Sequence, residues 1–294
     1  MKRMKGIVAA LTTPFTDNDC VDYDAAYDSA KFLIDKGIQF LYPCGTTGEM
    51  HLMSVEERKK LAETIVSAAA GKASIFVQCG AMTTRDTCSL IEHAKKIGAD
   101  GVGIVTPTFF SMSDEELIEY YKAAAVCAGK DFPIYIYNIP QCSANDISAD
   151  VCRKLAEEYE NIIGIKYSWN DAGRISDYVR IKDYSFSVLV GMEGHILPYL
   201  SMGCDGVVSG CANAFPELFV AMYRAYSEGN GGQALRLQRR IDDLLKILTP
   251  DHSIARVKAA QHMRGKNYGR MRAPLQALDQ AAYVEMEKAL KDFL

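Results

Sequence analysis

The chain has 294 residues, 49% of them hydrophobic, so it can bury a core as large as one barrel or two ordinary domains and is not disordered. Its formal net charge is −4, with Lys and Arg interspersed among Asp and Glu, which argues against nucleic acid as a partner. No apolar stretch approaches the roughly 18 residues that span a membrane, so we also expect no membrane partner.

The nine cysteines are odd in number, show no CxxC spacing and often lie inside apolar runs. This usage predicts reduced, buried thiols rather than disulfides or a zinc site, and it indicates a cytoplasmic protein. The opening segment, "MKRMKGIVAALTTPF", begins like a signal peptide, but its apolar stretch from Ile7 to Leu11 is too short for one. We interpret this stretch as a first strand.

Short apolar runs alternate along the chain with longer, helix-like segments. The runs are "GIVAAL", "IQFLYPC", "SIFVQCG", "GVGIVTP", "PIYIYN", "IIGIK", "FSVLVG" and "GVVSG". Two of the intervening segments open with the S-x-x-E pattern of a capping box, at Ser54 with Glu57 and at Ser113 with Glu116. Eight strand-helix units fit a (β/α)8 TIM barrel, which typically needs about 250 residues, better than a doubly wound sheet.

Two stretches echo each other, "KIGADGVGIV" at 96–105 and "SMGCDGVVSG" at 201–210, as repeated units of a barrel would. Residues 1–228 are predicted to form the barrel and to carry the active site. Residues 229–294 show helical patterning, in "QALRLQRRIDDLLKIL", "SIARVKAAQHM" and "LQALDQAAYVEMEKALKDFL", and are predicted to form a C-terminal helical extension packed on the barrel.

A lysine ends the sixth apolar run, "NIIGIKYSW" at 161–169. Catalytic groups of a TIM barrel gather at the carboxyl ends of its strands, where Lys166 stands. If Lys166 points inward, Gly164 lies in the layer beneath it and leaves room for the lysine stem and a small bound molecule. Desolvation disfavours a charged amine, so Lys166 is either a nucleophile toward carbonyls or a lysine whose amine reaches solvent at the rim.

The ends of the fifth and second strands carry further candidates. Tyr137 is placed either to shuttle a proton or simply to fill space. The turn "CGTTGE" at 44–49 offers the backbone N–H groups around Gly45 and the hydroxyls of Thr46 and Thr47. It is either a cradle for a carboxylate or an ordinary strand-to-helix turn.

The loops after strands six and seven supply weaker candidates. Glu193 favours recognition of hydroxyl groups over phosphate. His195 is interpreted as a helix-start residue, since no second ligand stands at metal spacing, and no metal is expected. Trp169, the single tryptophan, either walls the pocket or caps the core.

Taken together, "GTTGE" after strand two, "YNIP" after strand five and "GIK" at strand six occur in an order and place that carry a resemblance. Over its whole length the chain resembles the dihydrodipicolinate synthase and N-acetylneuraminate lyase family of class I, pyruvate-dependent aldolases. The resemblance implies that Lys166 forms a Schiff base with pyruvate, that Tyr137 is the general acid/base, and that Thr46 and Thr47 hold the pyruvate carboxylate. It also places Ser209 and Ile139 near the pyruvate pocket.

The resemblance further implies that no metal or organic cofactor is used, because the protonated imine is itself the electron sink. The partners it implies are a small 2-oxo acid, pyruvate, and an aldehyde. Most relatives of this kind assemble as homotetramers built from tight dimers, and we expect the same assembly here.

Two departures from the family pattern concern proton transfer and the second substrate. Where the family has a tyrosine that completes a hydroxyl relay in a neighbouring subunit, the segment "TPTFFSM" has Phe109 and Phe110. Where dihydrodipicolinate synthases carry an arginine for the aldehyde's carboxylate, this chain has Gln141, Cys142 and Ser143. Losing a bidentate carboxylate partner is not a conservative change.

Sialic acid lyases instead use two adjacent acids after strand seven and a hydroxyl residue two positions after the lysine. Here Glu193 occupies one acidic place, Gly194 the other, and Ser168 fits the hydroxyl position. The pattern therefore favours an aldolase or lyase acting on a sugar-derived 2-oxo acid, similar to N-acetylneuraminate lyase or a keto-deoxy sugar acid aldolase. Three alternatives stay open: a 4-hydroxy-tetrahydrodipicolinate (dihydrodipicolinate) synthase, a catalytically impaired pyruvate-binding homologue, and a dehydratase or hydratase-aldolase using the same imine.

Overall fold

A computed structural model describes residues 1–251 and 253–294 and shows one closed barrel of eight parallel strands in sequential order. The strands are β1 (Gly6–Ala10), β2 (Phe40–Tyr42), β3 (Ser74–Gln78), β4 (Gly101–Val105), β5 (Ile134–Asn138), β6 (Ile162–Tyr167), β7 (Ser187–Val190) and β8 (Gly206–Ser209). Each strand coincides with one of the eight predicted apolar runs, and β6 alone extends beyond its run, by one residue, to Tyr167. The TIM barrel prediction is confirmed.

Helices follow the strands and cover the barrel. They are α1 (Tyr23–Asp35), α2 (Val55–Ala69), α3 (Thr84–Lys96), α4 (Asp114–Ala128), α5 (Pro140–Ser143), α6 (Ala149–Glu158), α7 (Ala172–Val179), α8 (Ile196–Ser201), α9 (Pro216–Ser227), α10 (Gly231–Leu248), α11 (Ser253–Met263) and α12 (Gln280–Ala289). Both predicted capping boxes form, at Ser54 with Glu57 and at Ser113 with Glu116, where each side chain satisfies a free N–H group of the other residue. Local sequence therefore determines where α2 and α4 begin.

The barrel interior is filled by large side chains that depend on glycines opposite them. Tyr42 and Tyr135 are fully buried inside the barrel. A Cβ atom on Gly103 would lie 1.9 Å from the Tyr42 hydroxyl oxygen, and one on Gly164 would lie 2.6 Å from Tyr135 Cε1. Each glycine thus makes space for a tyrosine ring.

Strand β6 does not keep the simple alternation that its sequence suggests. Ile134 pairs with Ile162 while Tyr135 pairs with Gly164, so Ile163 is an extra residue in the strand. It packs with the interior residues instead of facing the helices. A β-bulge of this kind resets the alternation of side chains, which a strict period of two cannot anticipate.

The two echoing stretches have the same structure. The third residue of each is a glycine with positive φ, Gly98 at 83° and Gly203 at 99°. Each continues to an aspartate that bonds the preceding strand. Asp100 accepts from the Ile75 N–H at 2.8 Å, and Asp205 accepts from the Val188 N–H at 3.1 Å. The aspartates fix the starts of β3 with β4 and of β7 with β8.

The C-terminal residues form the three expected helices, α10, α11 and α12. The last is shorter than its apolar pattern, because Asp279 caps a helix that begins at Gln280 and ends at Ala289. Among the described residues, no helix is long and apolar enough to cross a membrane.

The expectation that all cysteines are reduced is wrong for one pair. Cys88 in α3 and Cys127 in α4 form a disulfide, with their Cα atoms 5.6 Å apart. The other seven are free thiols, and five of those are buried. Cysteine spacing along the chain carries no information on which residues of two neighbouring helices face each other.

The fit between Gly103 and Tyr42 gives a stability prediction. Replacing Gly103 by alanine forces the tyrosine ring to move inside a close-packed core, so we expect the free energy of unfolding to fall by about 1–3 kcal/mol. Gly231, at the first position of α10, has no atom near its absent Cβ, so Gly231→Ala serves as the control and should be neutral or stabilising. Urea denaturation measures both, and equal stabilities of the two variants would contradict the packing argument.

Candidate active site

A cavity of about 240 Å³ opens at the carboxyl ends of the strands. Its lining is Ala10, Thr46, Thr47, Tyr137, Ile139, Gln141, Lys166, Ser168, Gly191, Met192, Glu193, Val208, Gly210, Cys211, Thr249, Ser253, Ile254 and Val257. Seven of the ten residues chosen from the sequence belong to it: Thr46, Thr47, Tyr137, Ile139, Lys166, Ser168 and Glu193. The predicted candidates therefore meet in one place.

Lys166 projects into this cavity from the end of β6 and is 4% exposed. Its amine lies 3.8 Å from the ring centre of Tyr137 and 4.8 Å from that of Tyr42. It forms no ion pair with any carboxylate of the described residues. An amine held against aromatic faces, without a counter-charge, is placed to react with a small carbonyl compound that enters the cavity.

The space beneath Lys166 differs from the expected arrangement. Gly164 was expected to leave room there for the lysine stem and a ligand. Instead, an added Cβ would meet Tyr135 Cε1 at 2.6 Å and the Ser187 carbonyl oxygen at 2.4 Å. The floor of the cavity is closed by these groups, and any ligand must lie above the lysine.

Tyr137 and Thr46 are joined across the cavity. The two hydroxyl oxygens are 3.1 Å apart, and either group can donate the hydrogen bond. Tyr137 also packs edge-on against Tyr42, whose ring plane lies at 89° to its own. Burial raises the pKa of Tyr42 well above its ordinary value of 10.0, and its hydroxyl has no hydrogen-bond partner among the described residues. The Tyr137 hydroxyl, in contrast, has a hydroxyl partner in the cavity.

The "GTTGE" turn is folded so that its glycine carbonyl accepts two hydrogen bonds. Gly45 O accepts from the N–H groups of Gly48 at 3.1 Å and of Met50 at 3.3 Å. The N–H groups of Thr46 and Thr47 donate to no acceptor within the described residues. Free N–H groups beside two hydroxyls are donors that can together bind an anion.

Ser168 offers a free hydroxyl to the cavity. The residue is 7% exposed, and its Oγ atom has no hydrogen-bond partner among the residues that the structure describes. It sits directly against Gly191, where an added Cβ would lie 2.1 Å from that oxygen. Next to it, the Gln141 amide donates to the Ser168 carbonyl oxygen at 2.8 Å and lines the cavity too.

Glu193 lines the cavity while one of its carboxylate oxygens holds the loop after β8. That oxygen accepts from the Ser209 hydroxyl and from the Cys211 N–H, the latter at 2.9 Å. Ser209 in turn accepts from the Ala212 N–H at 2.9 Å. Ser209 therefore lies behind Glu193 and outside the cavity wall.

Two other sequence candidates also lie outside the cavity lining. Gly45 lies in the turn and packs against Tyr42, because a Cβ atom added to Gly45 would lie 3.3 Å from Tyr42 Cε1. Trp169 is exposed in the loop after β6. His195 is exposed at the start of α8, as expected of a helix-start residue. Phe109 and Phe110 are exposed and pack edge to face on the loop after β4.

Sequence reasoning missed the contribution of the C-terminal helices. Thr249 at the end of α10 and Ser253, Ile254 and Val257 at the start of α11 form one wall of the cavity. No local motif marks them, because their position follows from how α11 packs across the top of the barrel. The cavity is thus completed by residues far from the barrel strands in sequence.

Known proteins match this chain over almost its whole length. The model of the dihydrodipicolinate synthetase family matches residues 3–293. An uncharacterized DapA-like lyase of Halobacterium salinarum is 33% identical over 289 residues, covering 98% of this chain and 94% of the relative. A 4-hydroxy-tetrahydrodipicolinate synthase of Aquifex aeolicus is 35% identical over 289 residues, covering 98% and 97%.

Solved structures show the same fold over the full length. The crystal structure of dihydrodipicolinate synthase from Aquifex aeolicus superposes with a TM-score of 0.93 at 35% identity, covering 99% of this chain and 98% of that one. A variant of the 2-keto-3-deoxygluconate aldolase of Sulfolobus solfataricus gives a TM-score of 0.90 at 25% identity, covering 98% and 96%.

The burial of Glu193 predicts a pH effect on stability. Burial raises its pKa above the ordinary value of 4.5, against the lowering effect of the hydrogen bonds from Ser209 and Cys211. The folded protein therefore binds the proton of the Glu193 carboxyl group more tightly than the unfolded chain does. The stability that this protonated carboxyl group contributes is fully present below pH 4.5 and is lost as the pH rises through the folded pKa.

Glu193→Gln keeps an acceptor oxygen and removes the titration. We expect its free energy of unfolding to fall less than that of the unaltered protein as the pH rises above 4.5, measured by urea denaturation at a series of pH values. The same fall in both proteins would show that Glu193 does not titrate differently on folding.

Proposed function

The chain belongs to the dihydrodipicolinate synthetase family, and as such it is a class I, pyruvate-dependent aldolase or lyase; we propose that Lys166 is its Schiff-base lysine and a sugar-derived 2-oxo acid its substrate. The observation that carries the proposal is the Lys166 amine, buried against Tyr137 and without a counter-charge, in a cavity with free N–H and hydroxyl groups.

The proposed reaction begins at the ketone. The Lys166 amine attacks the carbonyl carbon of the 2-oxo acid, and Tyr137 donates its phenolic proton to the departing hydroxyl, so that water leaves and a protonated imine and the Tyr137 phenolate remain. The N–H groups of Thr46 and Thr47, together with their hydroxyls, hold the carboxylate next to that carbon. The acid is thereby oriented with its remaining carbon atoms toward the mouth of the cavity.

Carbon–carbon cleavage then draws on the imine as electron acceptor. Tyr137 takes the proton of the substrate hydroxyl on the carbon that becomes the aldehyde. The carbon–carbon bond to that carbon then breaks, its electron pair moves into the imine to form an enamine, and the aldehyde leaves. Return of the proton to the enamine carbon and addition of water release pyruvate and free Lys166. Thr46, 3.1 Å from the tyrosine oxygen, orients the Tyr137 hydroxyl for both transfers.

The outer part of the cavity supports a polyhydroxylated aldehyde half. Ser168 presents a free hydroxyl, and Gln141 and Glu193 line the same cavity. Among the described lining residues, Lys166 is the one cationic side chain, so a second carboxylate would find no bidentate partner. Hydroxyl groups suit these donors and acceptors better.

The runner-up function is a 4-hydroxy-tetrahydrodipicolinate synthase, which is favoured by the name of the relative in Aquifex aeolicus. A coupled assay for pyruvate distinguishes the two. We expect release from at least one of N-acetylneuraminate, 2-keto-3-deoxygluconate and simple 4-hydroxy-2-oxo acids. Consumption of pyruvate with a carboxylate-bearing aldehyde, without cleavage of the panel, would favour the synthase instead. Pyruvate binding without either reaction would indicate an impaired homologue.

The imine on Lys166 is tested by reduction with borohydride in the presence of pyruvate. The intact protein should gain the mass of one reduced pyruvyl group, located on Lys166 by peptide mapping. Lys166→Ala should gain none, whereas Lys154→Ala, which removes an exposed lysine of α6, should label like the unaltered protein. Equal labelling of Lys166→Ala would overturn the mechanism.

The role of Ser168 is tested through the glycine behind it. Gly191→Ala places a Cβ 2.1 Å from Ser168 Oγ and must displace the hydroxyl, so we expect KM for the cleaved 2-oxo acid to rise about 10-fold or more. Gly194→Ala, in the same loop, adds a Cβ 3.7 Å from Leu245 Cδ1 and is the matched control. Labelling by pyruvate should persist in both. An unchanged KM in Gly191→Ala would remove Ser168 from substrate recognition.

A further inference from the structure

Directly behind the Thr46–Thr47 turn lies a buried ion pair that joins distant parts of the chain. Glu49, the last residue of "GTTGE", accepts a hydrogen bond at 2.6 Å from the ammonium group of Lys258 in α11. The two side chains are 0% and 5% exposed. The turn is therefore attached to a helix of the C-terminal region through charges removed from water.

Every proton of the Lys258 ammonium group has an acceptor. Besides Glu49, it donates to the carbonyl oxygens of Thr13 and Arg270, each at 2.6 Å. The second carboxylate oxygen of Glu49 accepts from the N–H group of Arg272 at 3.1 Å. One lysine thus connects the segment after β1, the turn after β2 and the segment after α11.

The turn needs such an anchor because of its backbone. Glu49 adopts φ 56°, in the left-handed region, where the side chain of any residue other than glycine crowds the backbone. Its N–H group closes the turn on the Thr46 carbonyl oxygen at 3.0 Å, and the Thr13 hydroxyl donates to the Gly48 carbonyl oxygen at 2.7 Å. The fixed side chain of Glu49 holds this conformation and thereby the direction of the N–H groups of Thr46 and Thr47.

Stability alone does not account for a pair of this kind. Removing two charges from water costs about as much as their attraction returns, so apolar side chains of similar size would stabilise the fold equally well. A charged pair with every donor satisfied, unlike an apolar contact, fixes direction as well as distance. The benefit expected of the pair is therefore geometrical.

We propose that Glu49 and Lys258 are positioning residues that set the carboxylate cradle of the active site, and that α11 governs binding of the 2-oxo acid through them. This inference rests on the proposed function, in which Thr46 and Thr47 hold that carboxylate. Neither Glu49 nor Lys258 lines the cavity, but Val257, the neighbour of Lys258, does. Helix α11 thus forms the outer wall with one set of residues and holds the inner cradle with another.

The test measures borohydride trapping of pyruvate on Lys166 as a function of pyruvate concentration. In Lys258→Met, the half-saturating concentration should rise about tenfold or more, while the trapping rate at saturating pyruvate changes by less than about threefold. Lys258→Arg keeps the charge and should recover part of the affinity. Lys246→Met removes an exposed lysine paired with Asp243 on α10 and should behave as the unaltered protein.

The double variant Glu49→Gln with Lys258→Met distinguishes a positioning role from a role in stability alone, because it leaves no unpaired buried charge. Its stability should recover toward that of the unaltered protein while its half-saturating concentration stays high. Recovery of both would overturn the positioning role. If Lys258→Met fails to fold, the single variant Glu49→Gln replaces it, because the glutamine keeps an acceptor for the lysine. Glu49→Gln should still raise the half-saturating pyruvate concentration, and an unchanged concentration would also overturn the positioning role.

Failure of the proposed function has a different signature. If neither the unaltered protein nor Lys246→Met traps pyruvate, the imine chemistry is wrong and this inference falls with it. If both trap pyruvate and the folded Lys258→Met variant shows the same concentration dependence, the proposed function stands and the positioning role alone is wrong.

Discussion

The position of one amine depends on the packing of aromatic rings beneath it. Lys166 reaches the cavity with Tyr42 and Tyr137 against its nitrogen, and Tyr42 fits there because residue 103 has no side chain. Below them, Tyr135 and Ser187 close the floor. The barrel interior is thus closely packed, and Lys166, Tyr137 and Thr46 line the cavity above it.

The cavity wall is built from two parts of the chain, the barrel strands with their loops and the C-terminal helices. The strands supply the lysine, the tyrosine and the threonine turn, while α10 and α11 supply the outer wall. The ion pair of Lys258 with Glu49 connects these two parts, in addition to apolar packing. Helix α11 thus both lines the cavity and is attached, through this ion pair, to the turn that carries Thr46 and Thr47.

Most of the fold could be predicted because its signals are local. Parallel strands buried on both faces read as continuous apolar runs, and all eight were visible. The capping boxes at Ser54 and Ser113 marked helix starts by the residues that perform the capping. Lys166, Tyr137 and Thr46 were found because barrel geometry places every strand end on one rim. Their roles as site residues remain predictions.

The remaining features depend on packing that no local pattern encodes. The extra residue Ile163 adds an inward-facing side chain to β6. The space expected at Gly164 is filled by the Tyr135 ring, which comes from the neighbouring strand. Cys88 and Cys127 pair because two helices lie side by side. Ser253 and Val257 enter the cavity wall only through the path of α11.

The two aspartates that bond neighbouring strands carry a consequence for how such a protein can change over time. Asp100 and Asp205 precede β4 and β8, which are four strands apart in a ring of eight and so face each other across the barrel. Both lie at the end opposite the cavity. Strand register is thus secured at two opposite points of the base, and loops at the other end can accept substitutions, such as Phe109 and Gln141, without moving the frame that carries Lys166. New substrate preferences can therefore arise in the loops at the rim while the hydrogen bonds that fix strand register at the base stay unchanged.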